Sequence, residues 1–98
     1  MPAPSPLLAD VVASSTALAA LPDGNYGRIC RLGMGETEQA WLAALGLPIG
    51  ETVTVVRRAP WRGPLHVRTG TGAEFALDRS CAAEIHVVPC DASTFLHP

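Results

Sequence analysis

The side chains in this 98-residue chain that could ligate a metal or attack an electrophile are Cys30, His66, Cys81, Glu84, His86, Cys90 and His97. A protein-held zinc or iron ion needs three or four such groups converging on one point. Their spacing does not supply that. The cysteine count is odd and contains no CxxC pair, so neither a disulfide framework nor a zinc ribbon is indicated. In "EIHVV" Glu84 and His86 lie two residues apart and share one face of a strand, giving two ligands at most, with His66 as a further candidate on another strand. The expectation is no resident cofactor. A divalent metal would bind weakly or between molecules.

Catalysis finds no better footing. Cys81 and His86 could pair as nucleophile and base, but the pair lacks an orienting third group, and a small barrel has its interior filled by side chains. "GTG" at Gly70 to Gly72 resembles a phosphate loop only in composition, because it joins two strands and opens no helix. It reads as a hairpin turn. The chain is therefore expected not to be an enzyme, and His66 and His86 are expected at the surface, with Cys30 and Cys81 partly buried as small hydrophobes.

All seven basic residues are arginine against nine acidic ones, for a formal net charge of −2. Such a balance leaves no electrostatic footprint for phosphate backbones, so nucleic-acid binding is disfavoured. Free thiols suit a reducing cytoplasm. The apolar stretch "LLADVVASSTALAAL" imitates a secretory leader, but no basic residue precedes it and Asp10 interrupts it, so a cytoplasmic location is expected.

The elements that must position these side chains follow from turn residues and periodicity. Residues 1–14, with three prolines in the first six, read as a loosely ordered tail; 15–90 form the domain, and 91–98 are a second tail. Ser15 or Thr16 is the expected N-cap of a short helical turn through "ALAAL". "NYGRICRL" alternates as a strand. "ETEQAWLAALGLP" reads as a helix over about 36–45, with Glu36 and Glu38 at its positive end and Trp41, Leu42 and Leu45 as an apolar stripe, which makes Trp41 a core residue. Gly46 supplies a left-handed cap, Leu47 touches back on Leu42, and Pro48 stops the helix. After the Ile49-Gly50 corner comes "ETVTVVRR", with Val53 and Val55 on one face and Thr52, Thr54 and Val56 on the other. "PLHVRT", "AEFAL", a turn through "DRSCAA" and "EIHVV" complete the pattern.

About five short strands with one inserted helix predict an all-β fold, a small closed or nearly closed barrel. Pro60 and Pro64 cannot donate to a ladder, so "APWRGP" marks the bend between two strands. Gly46, Gly50, Pro60 and Pro64 are the expected structural positions. Trp61 and Arg62 at the tip form a residue pair suited to a binding surface, although Trp61 could equally fold back as a lid. Leu47, Pro48 and Ile49 at the helix exit are expected to add apolar contact.

The order and spacing of "LAALPDG", "LAALGLPIGETVTV", "RRAPWRGPLHV" and "AAEIHV", from Thr16 to Val88, resemble the FeoA family, small cytoplasmic proteins associated with the FeoB ferrous iron transporter. Two positions depart from the resemblance: Trp41 and Asp78 stand where a basic residue is expected. The resemblance implies an SH3-like barrel with a helical insertion, and a non-catalytic accessory or regulatory role through binding the cytoplasmic part of FeoB. The membrane would then be reached only through FeoB. Two other readings remain: a metal-responsive regulatory domain similar to that of iron-dependent repressors, and a general protein-interaction barrel recognising Pro-rich peptides.

Overall fold

The computed structural model describes residues 15–90; the two tails, and His97 with them, lie outside the described residues. The chain forms β1 (Thr16–Ala17), a 3-10 turn (Leu18–Ala20), β2 (Tyr26–Leu32), α1 (Glu36–Leu45), β3 (Thr52–Arg58), β4 (Leu65–Thr69), β5 (Glu74–Leu77), α2 (Arg79–Ala83) and β6 (Ile85–Cys90). The strands make one antiparallel sheet in the order β1-β6-β2-β3-β4-β5.

One face of that sheet carries the core. Cross-strand rows such as Ile29 with Val87, Val55 with Val67, and Leu65 with Leu77 bury their apolar side chains together. Leu18 and Leu21 from the N-terminal turn, Leu42 and Leu47 from α1 and its exit, and Ala82 from α2 complete the cluster. Thr52 and Thr54, on the face opposite Val53 and Val55, are buried too. Thr54 can be buried because its hydroxyl donates to the Asn25 carbonyl at 2.7 Å.

Two bulges bend the sheet. The β2–β6 register shifts between Ile29 and Arg31, and the β3–β4 register between Val55 and Arg57, leaving Cys30 and Val56 as the extra residues. The second shift has a large consequence. It places Arg58 opposite Leu65, on the core side, where its guanidinium donates to the carbonyls of Ala19 and Leu21 and to Asp23 at 2.7 Å.

Two local expectations are corrected. The N-terminal turn has no side-chain cap; Ala17 occupies that position, because Thr16 and Ala17 are drawn into pairing with Val87 and His86. The "DRSCAA" segment is a helix, α2, whose Ala82 is buried against the core.

The end of α1 shows both Schellman hydrogen bonds. Gly46 N–H donates to the Ala43 carbonyl at 3.0 Å and Leu47 N–H to the Leu42 carbonyl at 2.9 Å, with Gly46 at φ 102°. A Cβ at Gly46 would meet only Thr69 Cγ2, at 3.7 Å, so the cost of a side chain there is conformational. Gly46→Val is expected to cost about 1–2 kcal/mol, seen as a melting midpoint lowered by roughly 5–10 °C. An unchanged midpoint would refute the cap's contribution.

Candidate docking site

The corner between β3 and β4 is a four-residue turn, Pro60 to Gly63, closed by Gly63 N–H donating to the Pro60 carbonyl at 3.2 Å. Ala59 N–H donates to the Pro64 carbonyl at 3.0 Å, which continues the hairpin. Trp61 and Arg62 are its central residues, with φ 63° and 59°. Two successive positive values are the signature of a type I′ turn, which favours Asn-Gly because Cβ atoms are crowded there. The corner thus holds a tryptophan and an arginine in a backbone conformation that costs each about 1–2 kcal/mol. The indole gains nothing from the fold in return, being 96% exposed. Of the two alternatives for Trp61, the projecting one is realised.

Beside the turn an open groove of about 730 Å³ runs over the outer face, lined by residues including Arg57, Pro60, Pro64, His66 and Phe75. Among the described residues, the side chains of Arg57 and Arg62 have no ion-pair or hydrogen-bond partner. Their charges face solvent at the corner.

The helix exit does not join this surface. Leu47 is fully buried, spent on the Leu42 contact, while Pro48 and Ile49 are exposed. They precede β3 and the corner follows it; seven strand residues at about 3.3 Å each put roughly 20 Å between them. Gly50, at φ 96°, turns the chain into β3, and its N–H donates to the Ile29 carbonyl at 2.7 Å.

The metal-ligand candidates are engaged elsewhere or apart. His66 Nε2 lies 2.9 Å from Glu74 Oε1, and Arg68 Nε donates to Glu74 Oε2 at 3.0 Å. The Arg68 hydrogen bond is the main reason the Glu74 carboxyl titrates below its ordinary range. His86 Nε2 accepts from the Arg31 guanidinium at 3.1 Å. Glu84 ends α2 and lies outside β6, so it does not share a strand face with His86 as the spacing suggested. Burial, and secondarily the Asp78 charge, push the Cys81 thiol upward, so it carries little thiolate. Among the described residues, no group of three or more His, Cys, Asp or Glu side chains converges.

Sequence reasoning missed a second surface. Trp41, expected in the core, is 56% exposed. With Met34, Leu42 and Cys81 it lines a groove of about 370 Å³ whose rim carries Glu38, Asp78 and Glu84. The signal was present in the sequence, since Trp41 and Leu42 are adjacent and point about 100° apart on a helix.

A small antiparallel sheet bent around a filled core, with one helix inserted after its second strand, defines an SH3-like domain. The chain belongs to the FeoA family: the FeoA domain matches it over residues 16–89. FeoA is a ferrous iron transport-associated family. A crystal structure of an iron uptake regulatory protein, FeoA, is 25% identical, with a TM-score of 0.70 over 78% of this chain and 99% of that one. The Stenotrophomonas maltophilia FeoA, crystallised with zinc and described as a prokaryotic SH3 domain protein, is 29% identical, with a TM-score of 0.59 over 78% of this chain and 89% of that one. A manganese-dependent transcriptional repressor shares the fold at 23% identity and a TM-score of 0.70, over 91% of this chain but 39% of its own. No curated protein matches at a significant level. Among the described residues, no helix is long and apolar enough to cross a membrane.

Proposed function

We propose that this protein is a non-catalytic, cytoplasmic accessory factor of ferrous iron uptake that docks on the cytoplasmic part of the FeoB transporter and modulates its assembly or activity. The observation that carries the reading, beside family membership, is the Trp61-Arg62 turn. A side-chain pair kept in a costly backbone conformation and left exposed calls for an external role. The indole can bury a large apolar area, while the unpaired guanidinium meets a carboxylate or carbonyl on the partner. Transition-metal ions, on this reading, are cargo of the transporter. His66 and His86 serve this chain's surface hydrogen bonds.

The test replaces the tip by the pair its turn prefers. Trp61→Asn combined with Arg62→Gly is expected to fold at least as stably as the parent, yet to weaken binding to the FeoB cytoplasmic region by about tenfold or more. Circular dichroism and binding affinity are measured on the same samples. A folded double variant that binds like the parent would sink the proposal.

The fold shared with the manganese-dependent repressor favours a second reading, a regulatory domain working beside a DNA-binding partner. The same variant decides between them. Only the transporter reading requires the corner for FeoB binding.

A further inference from the structure

The two exposed tryptophans stand on surfaces of opposite charge. Trp61 projects at the corner with Arg57 and Arg62, which among the described residues have no acidic partner, whereas the Trp41 groove is rimmed by Glu38, Asp78 and Glu84, which among those residues have no cationic one. The acceptor side is built to take a flat apolar group. Met34 and Leu42 line it, thioether and alkyl, and the indole of Trp41 forms one wall.

The groove runs from Met34, just beyond the end of β2, to Asp78, just beyond the end of β5. Leu77 pairs with Leu65 and Leu65 with Arg58, so the Asp78 rim lies toward the corner's end of the sheet. Within one chain the Trp61 indole nevertheless stays out of the groove, being 96% exposed. A second copy can supply the contact that one chain leaves unmade.

We propose that the protein associates head-to-tail with itself, the Trp61-Arg62 turn of one copy seating in the acid-rimmed Trp41 groove of the next. Such a contact is heterologous, so it propagates into short chains or closes into a ring. One turn in one groove buries less than a standard interface, which makes the association weak, salt-sensitive and concentration-dependent. Its consequence is occlusion: a copy engaged at its corner cannot offer that corner to another partner. The inference rests on this chain's two surfaces and stands whether or not the transporter reading holds.

Sedimentation of the full chain, at concentrations up to about 1 mM where a small interface is populated, tests it. The parent is expected to gain mass with concentration and to lose it at high salt. Trp61→Ala and Trp41→Ala are each expected to weaken association by about tenfold or more while circular dichroism stays unchanged, both residues being exposed. Mixed one to one, the two variants should form a heterodimer that grows no further, because the first keeps an intact groove and the second an intact corner. A parent that stays monomeric throughout would overturn the proposal. So would association indifferent to both substitutions, or a mixture that remains monomeric.

Discussion

Arg58→Met is expected to lower the stability of the domain by roughly 2–4 kcal/mol, measured by denaturant unfolding. The side chain ends three hydrogen bonds at one guanidinium: to Asp23 at 2.7 Å and to the carbonyls of Ala19 and Leu21. Methionine keeps the length of the stem and removes all three. The two part-buried carbonyls would then be left without their donor, which costs more than the bonds were worth as net gains. Those carbonyls belong to the segment that presents Leu18 and Leu21 to the core. Loosening it uncovers the end of the barrel. Arg58→Lys is expected to fall between parent and methionine, because one ammonium cannot span three acceptors arranged for a planar fork. A loss below about 0.5 kcal/mol for Arg58→Met would show that desolvating the guanidinium cancels what its contacts gain.

Nothing in "TVTVVRRAP" announces that role. A regular strand would alternate Val55, Arg57 on one face and Val56, Arg58 on the other, and two charged residues in succession read as the solvated end of a strand. The bulge at Val56 reverses the alternation for the residues beyond it. Bulges arise from pairing, and pairing is a long-range property. The helix α1 was legible for the opposite reason: its acidic first turn, its Gly46 cap and Pro48 all lie within a dozen residues of one another and act locally. The five-residue α2 spans little more than one turn, too short for a period to show. For the site, Pro60, Gly63 and Pro64 marked the corner, since each restricts or frees the backbone in place. The burial of Leu47 followed from the same helix cap that turns it back on Leu42, whereas the positive φ of Trp61 and Arg62 depends on how the hairpin closes and left no trace in composition.

Gly27 is the second position where a small change is expected to have a large effect. It is buried in β2, opposite Pro89 on one side and Val53 on the other. A Cβ built on it would lie 2.7 Å from Val87 Cγ2 and 2.8 Å from Val87 Cβ, closer than carbon atoms pack. Its φ is not in the left-handed region, so the requirement for glycine is one of space alone. Val87 cannot retreat easily: it is fully buried, paired with Thr16 and Ile29 on its two flanks. Gly27→Ala must therefore push β2 and β6 apart, at a cost of about 2–3 kcal/mol, and Gly27→Val more. The origin of the cost can be isolated. Val87→Ala alone leaves a cavity and destabilises, but in the Gly27→Ala background it removes the nearer of the two clashing atoms. The double variant is expected to be more stable than the sum of the single changes by about 1 kcal/mol. Strict additivity in denaturant melts of the four proteins would mean that the inserted methyl is accommodated away from Val87, and that the close approach of β2 to β6 is not what requires glycine at this position.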